Sequence, residues 1–370
     1  MKVALVHEHL AQDGGAESVL RSFQTMFPSA PTYTIVYDAR GAHPSFAAKD
    51  IRPSFIQRLP GGVRHYKWYL PLMPTAVERF DLSQFDVVLS SASAFAKGVI
   101  TRPDAVHICY CHSPTRYLWT DTHDYIQALP YPRLFKRMIE RYLTTLRMWD
   151  GLAADLPDYF LANSHAVRQR IQKYYRREST VIYPPVATEK FSVAEHHGSY
   201  FLAGGRLVAY KRFDITIMAA NRLGVPLIIF GDGPEMKKLR SMAKKNVTFV
   251  GRVSDTERAT LYREAVAFIN PQEEDFGITV IEAMASGRPV IAYRRGGACE
   301  TVREGVTGVF FDDQEWESLS DAIIRFKAEN FQPDVIRQWA QGFSGERFAK
   351  NMQEFVKTHS FPKKEKIDAP

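Results

Sequence analysis

The sequence predicts an α/β protein built from two doubly wound, Rossmann-like halves. Short apolar, β-branched runs alternate with longer amphipathic stretches throughout the 370 residues, which is typical of parallel sheets covered by helices. The same rhythm occurs twice. Between the two halves lies Tyr183-Pro184-Pro185-Val186, where two prolines stiffen a connector and exclude a helix. A chain of this length is also expected to form two domains.

Most predicted strands are nearly all apolar, as expected for parallel strands that are buried on both faces. In the first half they cover residues 3–7, 33–37, 86–90, 106–111 and 159–162. In the second half they cover residues 200–203, 227–230, 247–250, 267–270, 290–293 and 309–311.

Amphipathic periodicity predicts the helices between these strands. They cover residues 16–27, 164–175, 214–222, 234–243, 255–265 and 319–329. A last helix, 344–358, has no strand after it, so we expect it to return to the first domain.

The domain boundaries follow from this order. Residues 1–184 form a first domain and residues 185–343 a second, with the junction in the segment between Ile182 and Ser199. Residues 344–370 carry the returning helix. Because open α/β sheets bind ligands at the carboxyl ends of their strands, we expect the two domains to face each other across a cleft.

The composition predicts a cytosolic protein with an anionic partner. The N-terminus lacks a signal-peptide pattern, and no apolar run approaches the ~20 residues of a membrane span. The three cysteines do not form a disulfide framework. A net charge of +7 fits a nucleic acid, an anionic membrane or an anionic small substrate. No nucleic-acid-binding motif is present.

Two stretches, 52–69 and 133–149, combine basic residues with aromatics. Such a surface is typical of a protein that lies on an anionic membrane. The alternative is that both stretches are solvated helix faces whose aromatics point into the core. The sequence leaves both interpretations open. A shorter basic cluster, Lys363-Lys364-Glu365-Lys366, lies near the end of the chain.

The segment with the most chemical information runs from Glu274 to Glu282 and continues as a short helix to Ser286-Gly287. One carboxylate lies on a loop and the other on the first turns of the helix. The free backbone N–H groups of a helix start can bind an anion. A nucleotide sugar needs acceptors for sugar and ribose hydroxyls and donors for its phosphates. This segment offers all three.

Glycine-rich and basic turns follow two other strands. Gly204-Gly205-Arg206 precedes Lys211, and the two cations are spaced to converge on a diphosphate. The alternative is a solvated basic loop. Gly14-Gly15-Ala16-Glu17 opens a helix after the first strand, where backbone N–H groups can approach a phosphate or a sugar. A simple tight turn is equally consistent with this sequence.

Two more turns, Gly231-Asp232-Gly233-Pro234 and Gly251-Arg252-Val253-Ser254, lie at predicted strand ends. Turn chemistry and helix capping explain their composition. Their position makes Arg252 and Val253 candidates to contact a nucleotide base.

The run Cys109-Tyr110-Cys111-His112 ends a strand. We do not expect zinc there, because no second pair of ligands accompanies the two cysteines. We interpret His112 as a polar ligand of a transferred sugar or an acceptor, with a structural histidine as the alternative.

Together these segments resemble family 4 of the retaining glycosyltransferases, which have the two-domain GT-B fold. The matching motifs, in the family's order, are Gly14-Gly15-Ala16-Glu17, Gly205-Arg206-Leu207 with Lys211-Arg212, Gly231-Asp232-Gly233-Pro234, Glu274-x-Phe276-Gly277-x4-Glu282 and Gly296-Gly297-x2-Glu300. They extend over nearly the whole chain.

The resemblance implies a role for each matching residue. Glu274 would bind hydroxyls of the donor sugar, and Glu282 those of the ribose. Arg206 and Lys211 would bind the diphosphate, and His112 would approach the sugar. The helping backbone N–H groups would be those of Gly15, Phe276, Gly277 and Ile278. In the front-face mechanism attributed to this family the leaving phosphate accepts the acceptor's proton, so the resemblance implies neither a protein nucleophile nor a metal.

The resemblance also suggests a donor. The segments 274–279 and 296–300 look like those of bacterial mannosyltransferases of polysaccharide assembly. We therefore expect GDP-mannose, with a UDP-hexose as the alternative, and a lipid-linked or saccharide acceptor on the inner face of the plasma membrane. A nucleotide-sugar epimerase of the same fold and a non-catalytic membrane- or RNA-binding scaffold are the remaining alternatives.

Overall fold

Each half of the chain forms a parallel sheet flanked by helices. The computed structural model describes residues 1–129, 131–194, 196 and 198–360. One unit comprises Met1–Pro184 together with the chain from Phe348 onward, and the other comprises Pro185–Arg347. The basic cluster Lys363-Lys364-Glu365-Lys366, together with Glu195 and His197 of the predicted junction, lies outside the described residues.

The first sheet has seven strands. They are β1 (Val3–His7), β2 (Thr32–Thr34), β3 (Ile51–Pro53), β4 (Val87–Ala92), β5 (Val106–Cys111), β6 (Tyr159–Ala162) and β7 (Ser179–Val181). Their order is β3-β2-β1-β4-β5-β6-β7, and all pairs are parallel. This is a doubly wound sheet whose order reverses between β1 and β4.

The second sheet repeats the pattern with six strands. They are β8 (Tyr200–Gly204), β9 (Leu227–Phe230), β10 (Val247–Gly251), β11 (Ala265–Asn270), β12 (Val290–Tyr293) and β13 (Gly308–Phe311). Their order is β10-β9-β8-β11-β12-β13, again all parallel, with the reversal between β8 and β11. The predicted α/β class with two Rossmann-like units is confirmed.

Helices connect the strands in both units. Those of the first unit are α1 (Gly15–Met26), α2 (Met73–Glu78), α3 (Arg116–Trp119), α4 (Thr122–Ala128), α5 (Arg133–Ala153) and α6 (His165–Tyr175). Those that follow are α7 (Phe213–Leu223), α8 (Met236–Met242), α9 (Asp255–Glu264), α10 (Ile278–Ala285), α11 (Ala298–Thr301), α12 (Trp316–Arg325), α13 (Pro333–Ala340) and α14 (Gly345–His359).

The last helix, α14, packs on the first unit. Its apolar residues Phe348, Met352 and Val356 are buried in the same cluster as the residues of β1 and α1. The Phe348 ring stacks on Phe23 with centroids 5.9 Å apart. The expected return of this helix is therefore confirmed, because its apolar stripe covers a sheet face that would otherwise be exposed.

The structure differs from the predicted elements at the sheet edges and in several helices outside the predicted set, namely α2, α3, α4, α5, α11 and α13. Strand β2 is shorter than the predicted strand, and β3 and β7, three residues each, are not predicted at all. Short edge strands carry too few residues to show a period. Helix α5 spans 21 residues and contains the 133–149 stretch, for which a solvated helix face is one of the two interpretations.

Within the described ranges, no helix is long and apolar enough to cross a membrane.

Candidate active site

The second sheet reverses its strand order between β8 and β11, and open α/β sheets bind ligands at such a point. The chain leaves β8 through Gly205, which has φ +133. A Cβ at Gly231, after the neighbouring strand, would lie 1.8 Å from the Gly205 carbonyl oxygen. Glycine at 231 therefore lets the two turns pack closely at this edge of the sheet.

Lys211 and Glu274 form an ion pair at this edge. Lys211 Nζ lies 2.8 Å from Glu274 Oε1, and the two side chains are 13% and 18% exposed. A Cβ on Gly205 would lie 3.3 Å from the same ammonium group, so the glycine leaves room for it. The pair places a cation beside a carboxylate. The cation is suited to bind a phosphate oxygen, and the carboxylate is suited to accept a hydrogen bond from a sugar hydroxyl.

Gln272 supports this pair, a role that the sequence analysis missed. Its Nε2 donates to Glu274 Oε1 at 3.2 Å. Its own Oε1 is buried and has no hydrogen-bond partner among the described residues. Buried polar atoms are nearly always paired in folded proteins, so this oxygen is an unusual unpaired acceptor beside the ion pair.

Gly277 leads from the Glu274 loop into helix α10. It has φ +92, a conformation that favours glycine. Behind the loop, the Gly297 N–H donates to the Glu274 carbonyl at 2.8 Å, and a Cβ on Gly297 would lie 2.5 Å from the buried Phe276 backbone. These contacts fix the loop, so that the first N–H groups of α10, including that of Ile278, follow directly after the carboxylate.

Glu282 is buried on α10 and is only 8% exposed. Tyr262 donates its hydroxyl to Oε2 at 3.1 Å, and Arg258 Nη2 lies 3.3 Å from Oε1. Burial raises the pKa of Glu282, although the Arg258 charge and the Tyr262 hydrogen bond act in the opposite direction. Two partners leave part of the acceptor capacity of this carboxylate unused.

The remaining predicted residues of this unit are more exposed. The guanidinium of Arg206 is exposed and has no hydrogen bond or ion pair with a described residue. Arg252 is also exposed, and its Nε lies 3.3 Å from Asp232 Oδ2. Val253 is half-buried in the loop after β10. The predicted convergence of Arg206 and Lys211 on a diphosphate stays a prediction.

In the first unit, His112 follows β5 and is half-buried. Its Nε2 lies 2.8 Å from Ser91 Oγ, and its carbonyl accepts from Asn163 at 2.9 Å. Burial and the nearby His7 lower the pKa of His112 to about 3, so the ring is neutral at neutral pH. The adjacent Cys109 and Cys111 lie in the apolar core.

Gly14 and Gly15 lie at the start of helix α1, and both are exposed. Gly14 is the N-terminal cap in extended backbone, with φ −153. A Cβ there would lie 3.1 Å from Glu17 Oε2. The pair therefore keeps the space in front of the helix start open, without a left-handed conformation at Gly14.

Glu8 is another buried carboxylate that the sequence analysis missed. It follows β1, and it accepts hydrogen bonds from the four backbone N–H groups of residues 93–96 at 2.7 to 3.1 Å. It thereby binds the loop after β4 to the end of β1. A glutamate directly after a buried strand is the only sequence signal for this role.

Comparison with known proteins relates both units of this chain to glycosyltransferases. Residues 13–190 match the family model "Glycosyltransferase Family 4", and residues 186–342 match "Glycosyl transferases group 1". Together the two matches extend over both units. The chain therefore belongs to glycosyltransferase family 4.

Two curated relatives are mannosyltransferases. The "GDP-mannose-dependent alpha-mannosyltransferase" of Corynebacterium glutamicum is 38% identical over 29% of this chain and 26% of its own length. The "O-antigen chain mannosyltransferase C" of Escherichia coli is 25% identical over 60% of this chain and 59% of its own length. The chain thus spans less than two thirds of the length of these relatives.

Solved structures show the same fold. Anabaena Alr3699/HepE in complex with UDP has a TM-score of 0.72 at 17% identity, covering 97% of this chain and 100% of its own. Sucrose-phosphate synthase from Thermosynechococcus elongatus has a TM-score of 0.74 at 16% identity, covering 96% and 98%. The fold is therefore GT-B.

Proposed function

We propose that this protein is a retaining, metal-independent glycosyltransferase that moves mannose from GDP-mannose to a lipid-linked or saccharide acceptor in cell-surface polysaccharide biosynthesis. The observation that carries this proposal is the Lys211–Glu274 ion pair at the reversal point of the second sheet. In a ligand complex the ammonium group binds a phosphate oxygen, and the carboxylate accepts hydrogen bonds from the sugar.

The chemistry follows from these charges. Cleavage of the glycosidic C–O bond leaves negative charge on the diphosphate, and cations placed beforehand stabilise it. Lys211 supplies one of them. The exposed Arg206 side chain, which has no partner among the described residues, supplies the second by turning towards the bound diphosphate. Glu282 binds the ribose, and the Arg252-Val253 loop contacts the base.

The first unit contributes His112 in this proposal. A neutral imidazole is suited to hydrogen bonding with a hydroxyl of the transferred sugar or of the acceptor. The open space at Gly14 and Gly15 admits a ligand to the start of α1.

The mannosyltransferase relatives support GDP-mannose as the donor. Structures of the Anabaena protein contain UDP or UDP-glucose, but at 17% or 18% identity they support only the fold. A UDP-hexose therefore remains the alternative donor.

We also propose that helix α5 rests on an anionic membrane that contains the acceptor. The helix exposes large apolar side chains, among them Leu134 at 68%, Met138 at 62% and Leu152 at 71%. Basic residues, Arg133, Lys136, Arg137 and Arg141, lie on the same helix. Exposed apolar side chains next to basic ones are typical of interfacial helices.

Nucleotide binding tests the donor site. A ligand that binds only the folded state stabilises it, by about 2.7 kcal/mol when its concentration is 100 times Kd. We expect GDP and GDP-mannose to raise the melting temperature, and UDP and ADP to leave it unchanged. A response to UDP alone would overturn the GDP assignment and favour the alternative donor.

Variants of the ion pair test the contacts with the diphosphate and with the sugar separately. Lys211→Met should weaken GDP and GDP-mannose alike and lower kcat/KM by about 10²- to 10³-fold, because the charge on the leaving group loses its partner. Glu274→Gln should retain GDP but lose the preference for GDP-mannose over GDP. Lys238→Met, which breaks an exposed 3.1 Å pair with Glu235, is the matched control. Unchanged transfer in both site variants would contradict the assignment.

A further inference from the structure

A chain of buried polar side chains lies where the first sheet reverses its order. His7 ends β1, and Ser91 lies opposite it on β4. Ser91 Oγ lies 3.1 Å from His7 Nδ1 and 2.8 Å from His112 Nε2. On the other side of His7, Glu17 Oε1 lies 3.8 Å from Nε2. His7, Glu17 and Ser91 are almost completely buried.

The hydrogen positions in this chain depend on one another. The pKa of Glu17 is lowered to about 2, because contacts with His7, the helix-start backbone and Gln12 outweigh the effect of burial. Glu17 is therefore an anion that cannot donate, and the proton of a neutral His7 lies on Nε2, which faces it. His7 Nδ1 must then accept the Ser91 hydroxyl hydrogen. Ser91 Oγ can only accept from His112, so the His112 proton lies on Nε2.

We propose that Glu17, His7 and Ser91 are positioning residues that hold His112 in its Nε2–H tautomer whenever His7 is neutral, so that Nδ1 is a hydrogen-bond acceptor for a hydroxyl group of the ligand. The identity of that hydroxyl, on a sugar or an acceptor, rests on the proposed function. The tautomer does not. This inference also gives Glu17 a role that the helix-start motif alone does not suggest.

If His7 is protonated, each hydrogen bond between His7, Ser91 and His112 exchanges its donor and its acceptor. His7 Nδ1–H then donates to Ser91, the Ser91 hydroxyl donates to His112 Nε2, and the His112 proton moves to Nδ1. Other charged or titratable groups near His7 and Glu17 are Glu8 and His9 on the following segment, with Tyr66 and Lys67 from the 3₁₀ helix Tyr66–Leu72. The Glu8 carboxylate is already bound by backbone N–H groups.

Nitrogen NMR of the full-length protein labelled with ¹⁵N-histidine tests this inference directly. The His112 signals are assigned by their loss in His112→Asn. At neutral pH we expect Nε2 protonated and Nδ1 unprotonated, by about fivefold or more, since one net hydrogen bond contributes on the order of 1 kcal/mol. Ser91→Ala and Glu17→Gln should bring the two tautomers towards equal populations, and Ser91→Thr should restore the wild-type ratio.

Ser90→Ala is the matched control. Ser90 is the neighbouring residue of β4, is equally buried, and lies 2.8 Å from His107 Nε2. Its substitution should leave the His112 tautomer unchanged. Protonated Nδ1 in the wild type, or a ratio that neither Ser91→Ala nor Glu17→Gln alters, would overturn the inference.

Kinetics then tests the proposed function separately. If the tautomer responds as expected and kcat of glycosyl transfer falls about tenfold in Ser91→Ala, both hold. If the tautomer responds and kcat does not, the positioning chain stands and the catalytic role of His112 fails.

Discussion

At the scale of single residues, buried ionic and polar groups organise the loops at the sheet edge of the first unit. Asp150 on α5 forms a buried salt bridge with Lys97. The same carboxylate accepts from Thr115, Trp119 and Tyr175 at 2.6 to 2.9 Å. Because an unpaired buried charge costs several kcal/mol, this cluster holds the loop after β5 in one arrangement. The loop that carries His112 is therefore anchored at both ends.

His107, also buried, provides a residue-scale prediction for pH dependence. Burial, with the Arg177 charge, lowers the pKa of His107 from 6.5 to about 3. Below pH 6.5 the unfolded chain binds a proton that the folded state excludes, so the free energy of unfolding falls as the pH drops towards 3. Each such histidine contributes a slope of up to about 1.4 kcal/mol per pH unit.

We therefore expect His107→Asn to reduce that slope by one proton, as measured by urea unfolding between pH 7 and pH 4. At pH 7 the His107 ring of the wild type is neutral. The difference in free energy of unfolding between the two proteins at that pH therefore measures the loss of the Ser90 contact. An equal slope in the two proteins would show that His107 is protonated in the folded state.

At the scale of elements, helix α5 shows how both interpretations of a basic, aromatic stretch apply to different residues. Tyr142 and Trp149 pack against the core of the first unit. The large apolar side chains of Leu134, Met138 and Met148 are exposed instead. Tyr142 and Trp149 thus follow the interpretation as a solvated helix, whereas Phe135 is 56% exposed. The aliphatic residues form the surface on which the membrane proposal rests.

Vesicle binding tests that surface. Leu134→Gln with Met138→Gln should reduce co-sedimentation with phosphatidylglycerol vesicles by about tenfold or more, because each apolar side chain contributes on the order of 1 kcal/mol when buried. Ile324→Gln, an equally exposed apolar residue on α12 of the other unit, is the control. Equal sedimentation with neutral phosphatidylcholine, or an unchanged double variant, would remove the support for membrane contact.

At the scale of the whole molecule, the chain enters the first unit twice. The β1 and α1 layer is completed only by α14, more than 300 residues later in the sequence. Phe348 lies between the rings of Phe23 and Tyr110, with centroid distances of 5.9 and 5.8 Å. The stability of the first unit therefore depends on the far end of the chain.

Phe348→Ala should lower the free energy of unfolding of the first unit by about 3–5 kcal/mol, the usual cost of truncating a buried phenylalanine. Calorimetry should show a lower transition temperature for the first unit. GDP should still raise the transition temperature of the second unit. Lys350→Ala, an exposed position on the same helix, should change stability by less than about 0.5 kcal/mol. A Phe348→Ala protein as stable as the control would contradict the packing role of α14.

Local patterns were sufficient for the fold class and for much of the candidate site. Alternating buried strands and amphipathic helices follow from periods of two and 3.6 residues, which a short window of sequence reveals. Lys211, Glu274 and Glu282 lie in turns and helix starts whose spacing is itself chemical information. The same local patterns do not reveal β3 or β7, because edge strands this short carry too few residues to show a period.

Which residues contact these side chains could be learned only from the folded structure. His7 and Ser91 are 84 positions apart, and Arg258 and Glu282 are 24 apart on two different helices. Such contacts arise from strand order and helix packing, which bring distant residues together without a repeating signal. The sequence alone thus indicated a sugar-nucleotide site with two separate carboxylates. The tertiary structure added that one carboxylate pairs with Lys211, that the other is buried against Arg258 and Tyr262, and that His112 ends a buried hydrogen-bond chain.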